Sequence, residues 1–300
     1  MDNSTKKFNN ILLFVRKNKD NIKKELLSLN AILQENGFST FIDNTTKNIS
    51  NDIKASLLTE VNNDNIDLII AIGGDGTILH AAKVASHNAI PLIGVNCGKV
   101  GFLTDIQADN YNNLLKMLHG HYEEEKRSML RCDLISDSES KFLDDALNEV
   151  ALIRGELVKI IEFDIYINNR FICNQRADGI LISTPTGSTA YSLSAGGPII
   201  QPSLDAICLV PLCAHTLNSR PIIIEPHNTI TIKINRRLTS APSISCDGRS
   251  KIFLPDDAHI EISKSKSELT LLHPLNYHYF ETLKNKLHWE RKPYAEFSAD

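Results

Sequence analysis

Short apolar runs alternate with amphipathic segments over the first 120 residues. The run at 11–15 is continuously apolar, which predicts a buried parallel strand. A helix is predicted over 21–36, where one stripe is apolar: Ile22, Leu26, Leu29 and Leu33. Further strands are predicted over 38–42, 66–72 and 90–95, with a helix over 77–85. Alternation of this kind predicts an α/β domain with an open, mostly parallel sheet and flanking helices, whose ligands bind beyond the carboxyl ends of the strands.

Beyond residue 122 the apolar pattern changes. Apolar and polar residues alternate over 161–167, and Asn168-Asn169 predicts a turn. Shorter strands are predicted over 180–183, 207–210, 222–224, 230–234 and 260–262. We therefore predict an α/β domain over 1–120, a β-rich, β-sandwich-like domain over 121–275 and a helical tail over 276–300. Packing of the tail back on the N-terminal domain is left open.

Composition narrows the class of protein. A chain of 300 residues that is 42% hydrophobic, with a net charge of -4, is typical of a soluble globular protein and does not favour nucleic-acid binding. The first ten residues lack an apolar region, and the apolar runs are too short to span a bilayer, so we expect no membrane association. The six cysteines are scattered without a C-x-x-C pair, which predicts reduced thiols in a cytoplasmic protein.

A glycine-rich turn follows the predicted strand at 66–72. It reads Gly73-Gly74-Asp75-Gly76-Thr77 and precedes a predicted helix. Glycines let backbone amides approach an anion, and a helix N-terminus adds a favourable dipole. A carboxylate there is unfavourable for simple phosphate binding but suits a base that takes a proton from a hydroxyl. The turn is neither a P-loop nor a G-x-G-x-x-G fingerprint. The alternative is a tight turn in which Asp75 is a local cap.

Two further segments carry polar residues in an unusual pattern. Residues 178–191 read DGILISTPTGSTAY, so that hydroxyls and glycines follow an apolar strand. Residues 144–150 place Asn148 beside Glu149, a pair suited to ribose hydroxyls or an adenine edge. The alternative for this pair is a solvated strand edge.

These segments resemble a known family. The G-G-D-G-T turn resembles a loop shared by NAD kinases, diacylglycerol kinases and sphingosine kinases. The block from Arg176 to Pro198 closely resembles the D-G-x-x-x-S-T-P-T-G-S-T-A-Y block of NAD kinases, and 144–150 resembles their Asn-Glu segment. Segments at 94–103 and 210–221 also resemble motifs of that family. The resemblance covers about residues 66 to 250 and is to the ATP-NAD kinase family of bacterial type.

The resemblance implies phosphoryl transfer from ATP, with Mg²⁺ or another divalent cation, to the 2′-hydroxyl of the adenosine ribose of NAD, giving NADP. It implies that Asp75 is the general base. The phosphate-binding residues it implies are Gly73, Gly74, Gly76 and Thr77. The NAD-binding residues it implies are Asp75, Gly76, Asn148, Glu149, Arg176, Asp178, Thr186, Thr189, Ala190, Tyr191 and Ser194. The magnesium ion is expected with ATP rather than in a dedicated protein site.

Three further residues have weaker support. Phe102 is a candidate wall of the adenine pocket or a core residue, and Lys159 is a candidate phosphate partner or a solvated lysine. Arg249 stands where many members of the family have glutamine after Asp-Gly, so it contacts a phosphate differently or not at all. Ala214 replaces the usual proline before His-Thr-Leu.

Alternatives and open questions accompany this interpretation. A lipid kinase of the diacylglycerol type shares the glycine turn, and a non-catalytic dinucleotide sensor would retain Asn148, Glu149 and Asp178. The expected partners are the small molecules NAD and ATP, and the resemblance implies a homodimer or homotetramer. The sequence leaves open the choice of ATP or polyphosphate, the choice of NAD or NADH, and feedback by NADPH or NADP.

Overall fold

The computed structural model divides the chain into two compact units. The first unit comprises residues 1–84, 90–125 and 271–300, and the second comprises 85–89 and 126–270. The structure describes residues 7–16, 20–50, 52–58, 60–98, 101–107, 111–136, 139–155, 160–216, 218–235, 242–249 and 252–289.

The first unit is built on a parallel sheet with helices between its strands. Its elements are β1 (Asn10–Phe14), α1 (Asp20–Glu35), β2 (Ser39–Ile42), α2 (Asn44–Ile49), β3 (Ser56–Leu57), β4 (Leu68–Ile72), α3 (Asp75–His87), β5 (Leu92–Asn96), β6 (Ile106–Gln107) and α4 (Tyr111–Leu118). The strands lie in the order β3-β2-β1-β4-β5-β6, and all of these pairs are parallel. The last residues of α3 belong to the second unit.

Burial explains why these segments fold as they do. Every residue of β4 is buried, as expected for a central parallel strand with both faces covered. The apolar stripe predicted on α1 is buried in the same core as Ile11 and Leu13. Gly37 follows α1 with φ of 75°, a left-handed conformation that glycine adopts without strain. The open α/β sheet predicted from the apolar runs is confirmed.

The second unit is rich in strands. Its elements are β7 (Tyr122–Ser136), β8 (Glu139–Ala146), β9 (Glu149–Ile153), β10 (Ile161–Ile167), β11 (Arg170–Ala177), β12 (Gly179–Ser183), α5 (Tyr191–Ser194), β13 (Ile207–Leu212), β14 (Ile222–Ile224), β15 (Ile230–Ile234), β16 (Ser243–Cys246), β17 (Ile252–Phe253) and β18 (His259–Pro274). The chain enters this unit within β7 and leaves it within β18. A 3-10 helix spans Thr186–Thr189.

Two sheets enclose the core of the second unit. One has the order β14-β13-β12-β9-β16-β17, and all of its pairs are antiparallel. The other includes the antiparallel run β11-β10-β15-β18. A single apolar cluster contains Leu152 and Ile180 from the first of these sheets and Phe163 and Ile232 from the second. The predicted β-rich C-terminal part is therefore confirmed, with the two sheets packed face to face.

The chain ends in the first unit. Helix α6 (Tyr279–Leu287) follows β18 and buries Leu283. At the end of β18, the buried His273 ring stacks on Tyr277 at 3.9 Å between centroids. Its Nδ1 and Nε2 lie 2.5 Å from Asp105 and 3.0 Å from Glu125, respectively. Burial lowers the pKa of His273, but its interactions with both carboxylates outweigh burial, so its pKa is raised.

No helix in the described part of the chain is long and apolar enough to cross a membrane.

Candidate active site

The glycine turn lies at the carboxyl end of β4, a central strand of the parallel sheet. Gly73 has φ of +152°, and a Cβ there would lie 2.6 Å from Thr77 Oγ1, so both conformation and space require glycine. Apart from their chain neighbours and the local helix backbone, no described residue lies within 4 Å of the positions that Cβ atoms would occupy on Gly74 and Gly76. Because α3 begins at Asp75, the exposed backbone of this turn adjoins a helix N-terminus. That combination suits a phosphate group.

The Asp75 carboxylate is held by the segment that follows β5. Its Oδ2 accepts the Phe102 N–H at 3.2 Å, and its Oδ1 accepts the Leu103 N–H at 3.4 Å. A Cβ on Gly101 would lie 1.8 Å from Oδ1, so only glycine allows this approach. The Thr104 hydroxyl accepts the Gly101 N–H at 2.8 Å and fixes the segment in turn. Asp75 therefore has a defined orientation while remaining partly exposed.

Phe102 is half-buried, and its backbone, rather than its ring, contacts Asp75. The Lys286 ammonium on α6 lies 6.0 Å from the centroid of the Phe102 ring.

A cation that the sequence reasoning missed contacts the helix that begins at this turn. Arg16 lies two residues after the end of β1, which pairs with β4 through Phe14 and Ala71. Its Nη1 contacts the His80 ring on α3. The only sequence signal is a basic residue immediately after the first apolar run.

In the second unit, the Asn148–Glu149 pair contacts the hydroxyl-rich block. The Thr184 hydroxyl donates to the Leu147 carbonyl at 2.5 Å, and the Thr184 N–H donates to the Asn148 carbonyl at 2.9 Å. A Cβ on Gly187 would lie 2.1 Å from that carbonyl oxygen, so the two segments touch through backbone. The structure thus brings together two segments that the sequence analysis singled out separately.

Glu149 is a buried carboxyl group that can accept a further hydrogen bond. It is 7% exposed, and its Oε2 has no hydrogen-bond partner among the described residues. Burial raises the pKa of Glu149 to about 7, and the nearby charge of Asp247 adds to the increase. A buried polar atom without a protein partner is costly, so a ligand that donates a hydrogen bond would be favoured there.

The hydroxyl-rich block contains both buried and open residues. The Ser188 hydroxyl donates to the Pro185 carbonyl at 2.6 Å and accepts the Ile200 N–H at 2.9 Å. Buried Arg127 donates to the Thr186 hydroxyl at 3.3 Å. The remaining predicted contacts are more open: Thr189 and Ala190 are half-buried, and Tyr191 and Ser194 are exposed. The buried hydroxyls therefore fix the shape of a loop whose later residues face solvent.

Two predicted NAD-binding residues form ion pairs at the ends of neighbouring strands. Asp178 Oδ1 lies 3.0 Å from Arg154 Nη1, an arginine that the sequence reasoning missed. Arg176 Nε lies 3.8 Å from Glu162 Oε2, and its side chain is largely exposed. Lys159 lies outside the described residues.

Arg249 makes its contacts within the second unit. Its Nη2 donates to the Asp145 carbonyl at 2.7 Å and to Asp247 Oδ2 at 3.3 Å. Its side chain is only 13% exposed. Asp247 is a residue to which the sequence analysis gave no role.

The described residues contain no group of three or more His, Cys, Asp or Glu side chains arranged to hold a metal ion. A magnesium ion commonly takes one or two carboxylates and completes its shell with substrate phosphates and water. The carboxylate of Asp75 in an open glycine turn fits that sparse kind of coordination.

A carboxylate held at an open glycine turn beside a helix N-terminus is the arrangement expected of a kinase, an enzyme that transfers a phosphoryl group. Residues 11–122 match the family model of the ATP-NAD kinase N-terminal domain, and residues 147–273 match that of the ATP-NAD kinase C-terminal domain. The chain belongs to the ATP-NAD kinase family.

Relatives of known name agree with this assignment. The chain is 42% identical over 276 residues to an NAD kinase of Coxiella burnetii, covering 90% of this chain and 89% of that protein. It is 41% identical over 290 residues to an NAD kinase of Legionella pneumophila, covering 95% of this chain and 98% of that protein.

Two solved structures share the fold. Yeast NADH kinase complexed with NADH has a TM-score of 0.85 at 24% identity, covering 96% of this chain and 90% of that one. An NAD kinase from Archaeoglobus fulgidus in complex with ATP has a TM-score of 0.72 at 23% identity, covering 93% of this chain and 98% of that one.

Proposed function

We propose that this protein transfers the γ-phosphoryl group of ATP to the 2′-hydroxyl of the adenosine ribose of NAD, with Mg²⁺ or another divalent cation, and so forms NADP. One observation carries the proposal: a carboxylate, Asp75, is held by two backbone N–H groups at an open glycine turn that begins a helix. Family membership and the names of the relatives support NAD as the acceptor.

In the proposed reaction Asp75 is the general base. The ribose oxygen forms a bond to the γ-phosphorus, the bond from phosphorus to the leaving oxygen of ADP breaks, and the hydroxyl proton passes to the Asp75 carboxylate. In phosphoryl transfer the positioning of reactants and the stabilisation of charge carry most of the rate increase. The bonds from Phe102 and Leu103 therefore matter because they fix the carboxylate before the substrate arrives.

Phosphate binding is assigned to the glycine turn. The amides of Gly74 and Gly76, with the Thr77 hydroxyl, are the proposed phosphate ligands, supported by the start of α3. The Gly73 N–H donates to the Val95 carbonyl at 2.9 Å, so the predicted role of Gly73 is reduced to shaping the turn. The ATP phosphates, with the Asp75 carboxylate nearby, would hold the divalent cation. When bound, it would offset the charge that develops on the transferred group.

Dinucleotide binding is assigned to the second unit. Asn148 and Glu149 suit the adenosine, because Glu149 Oε2 is buried and has no partner among the described residues. Asp178 and Arg176 suit the other half of the dinucleotide. The adenine is assigned to the later part of the hydroxyl-rich block, whose candidates are Thr186, Thr189, Ala190, Tyr191 and Ser194. The exposed ring of Tyr191 offers an aromatic face for stacking.

The test is NADP formation by the purified protein with NAD, ATP and magnesium, detected with an NADP-specific dehydrogenase. We expect product with the wild type. For Asp75→Asn we expect turnover lower by roughly a hundredfold and NAD binding nearly unchanged. The substitution Asp67→Asn at the amino end of β4 is the matched control, since among the described residues the Asp67 carboxylate accepts the Asn9 and Asn10 N–H groups, far from the glycine turn in sequence.

The outcomes separate the proposal from its alternatives. Binding of NAD without product would favour a dinucleotide sensor, and phosphorylation of diacylglycerol in place of NAD would favour a lipid kinase. Unchanged turnover in Asp75→Asn would remove Asp75 from the catalytic role. Steady-state kinetics with polyphosphate, NADH, NADPH and NADP would define the donor, the acceptor preference and any feedback.

We further infer a cytoplasmic homodimer or homotetramer. Six free thiols suit a reducing compartment. Light scattering of the purified protein tests the assembly state, with a monomeric mass contradicting it.

A further inference from the structure

We infer that Asp247, neutralised by Arg249, is the residue that positions the Asn148–Glu149 pair for the dinucleotide. This inference rests on the function proposed above. Asp247 makes no proposed contact with substrate, so it is a positioning residue rather than a catalytic one.

The Asp247 carboxylate binds three consecutive backbone N–H groups. Its Oδ1 accepts from Asn148 at 2.7 Å and from Glu149 at 3.2 Å, and its Oδ2 accepts from Leu147 at 2.9 Å. The Asp247 N–H donates back to the Glu149 carbonyl at 2.9 Å. Successive N–H groups that converge in this way form a concave anion site, and here the anion is a side chain of the same chain.

This contact is buried and conformationally specific. The Asp247 side chain is 0% exposed, and its backbone has φ of 51°, in the left-handed region that aspartate tolerates better than most residues. Pairing of Cys246 with Val150 between β16 and β9 brings Asp247 beside Glu149. The carbonyl side of the same turn is bonded by Thr184, so the turn is held from both sides. Asn148 and Glu149 therefore have little backbone freedom left to lose when a ligand binds.

Burial raises the pKa of Asp247, and the three backbone N–H groups and the charge of Arg249 oppose that increase. Arg249 thus offsets part of the cost of burying the carboxylate. Its Nη2 lies 3.3 Å from Asp247 Oδ2 and 3.7 Å from Asp144 Oδ2, and it also bonds the Asp145 carbonyl. A buried charge without a partner is strongly destabilising, whereas a paired and hydrogen-bonded charge is tolerated. A glutamine at this position would keep a hydrogen bond but would not supply the positive charge.

The Asp247 charge also acts on Glu149. Burial raises the pKa of Glu149 to about 7, and the Asp247 charge contributes to that increase. Loss of Asp247 would therefore change both the geometry of the pair and the pH at which Glu149 ionises. A residue that only stabilises the fold would change neither property selectively.

The experiment compares Asp247→Asn with Asp133→Asn. Asp133 is a matched control because it is a buried aspartate of the same unit whose carboxylate bonds Arg131, at 2.6 Å, rather than residues 147–149. For each variant the KM for NAD, the KM for ATP, kcat and the thermal unfolding midpoint are measured, together with kcat/KM for NAD against pH.

We expect Asp247→Asn to raise the KM for NAD by about tenfold or more, the scale of one lost charged hydrogen bond, while the KM for ATP stays within about twofold. We also expect the midpoint of the pH profile to move to lower pH, since the negative charge near Glu149 is gone. Asp133→Asn should change neither. Arg249→Gln, which leaves the carboxylate in place, should raise the KM for NAD less than Asp247→Asn does.

A KM for NAD and a pH midpoint equal to those of the wild type would overturn the inference, even if the unfolding midpoint falls. If Asp247→Asn does not fold, the Arg249→Gln variant decides, and its wild-type KM for NAD would count against the inference. A wild type that makes no NADP would refute the proposed function instead. In that case calorimetric titration of NAD into the same variants still tests whether Asp247 supports dinucleotide binding.

Discussion

Replacing Glu149 by Gln should change the way stability depends on pH. The folded protein holds the Glu149 proton more tightly than the unfolded chain does, because burial and the Asp247 charge raise its pKa from 4.5 to about 7. A difference of that size corresponds to about 3 kcal/mol of free energy. The unfolded chain loses the proton near the ordinary pKa, whereas the folded protein keeps it until about pH 7. Glu149 therefore makes the wild type progressively less stable as pH rises from about 4.5 to about 7.

Glutamine does not titrate, so the variant lacks this contribution. We expect the free energy of unfolding of Glu149→Gln, relative to the wild type, to rise by about 3 kcal/mol between about pH 5 and about pH 8. Urea unfolding followed by circular dichroism across that range measures the difference. Taking the difference between two proteins cancels the other titrating groups, and it also cancels any constant cost of burying the new amide.

The control is Glu268→Gln, the same chemical change at a more exposed glutamate whose ion pairs with Lys126 and Lys264 are long, at 3.8 and 3.9 Å. Its stability relative to the wild type should vary little with pH, as expected for surface ion pairs. A difference between Glu149→Gln and wild type that stays constant across the whole range would refute the reasoning, because Glu149 would then ionise alike in both states.

Three further predictions concern packing and charge around the site. Gly101→Ala should lower kcat by on the order of a hundredfold, because the added methyl group would displace the Asp75 carboxylate. Circular dichroism should show that the fold is retained. An unchanged kcat would contradict the observed geometry. Gly187→Ala should destabilise the protein by about 1–3 kcal/mol and weaken NAD binding, because its Cβ meets the Asn148 carbonyl; urea unfolding and calorimetry test this, and a wild-type result in both would count against it. His273→Gln should reduce the free energy of unfolding most below about pH 6.5 and progressively less above it. The reason is that the pKa of His273 is raised in the folded protein, so only the protonated imidazolium contributes this stabilisation. A loss of stability that does not vary with pH would argue against an ion-paired imidazolium.

The parallel sheet could be predicted because buried parallel strands are continuous apolar runs. The predicted strand at 66–72 begins two residues before β4, since Ile66 is buried without joining the sheet. The helix predicted over 77–85 is shorter than α3, because glycine and aspartate indicated a turn while the helix already begins at Asp75. The turn at Asn168-Asn169 is confirmed, with positive φ at both residues.

The long strand β7 was not predicted. Its first part carries Glu123, Glu124 and Glu125, and apolar residues of the strand recur only after Ser128. The pairing of this strand with β8 and β18 supplies the hydrogen bonds that keep it extended, and such long-range pairing leaves no local mark in the sequence.

The residues of the candidate site also divide into those that local sequence patterns predict and those that they do not. The glycine turn, the Asn148–Glu149 pair and the hydroxyl-rich block are local patterns, and each was visible in the sequence. Arg154 and Asp247 were missed because their interest comes from partners far along the chain; Asp247 bonds the Asn148 N–H across 99 positions. The antiparallel register of β16 against β9 brings Asp247 to Asn148. Nothing in a single sequence specifies that register.

The proximity of Asp247 to Glu149 also affects how a bound ligand would change the protonation of Glu149. Two buried carboxylates lie close together, and the charge of one is offset by Arg249 while the other is kept partly protonated near neutral pH. Hydrogen bonds donated to a carboxylate favour its charged form, so ribose hydroxyls or an adenine amino group that bind Glu149 would lower its pKa. Under the proposed function, NAD binding and proton release from Glu149 are then coupled. On the same proposal, a carboxyl group has an advantage over an amide at this position. Without a ligand, Glu149 can be buried at low cost as the neutral acid. When the dinucleotide binds, the ionised carboxylate becomes a strong hydrogen-bond acceptor.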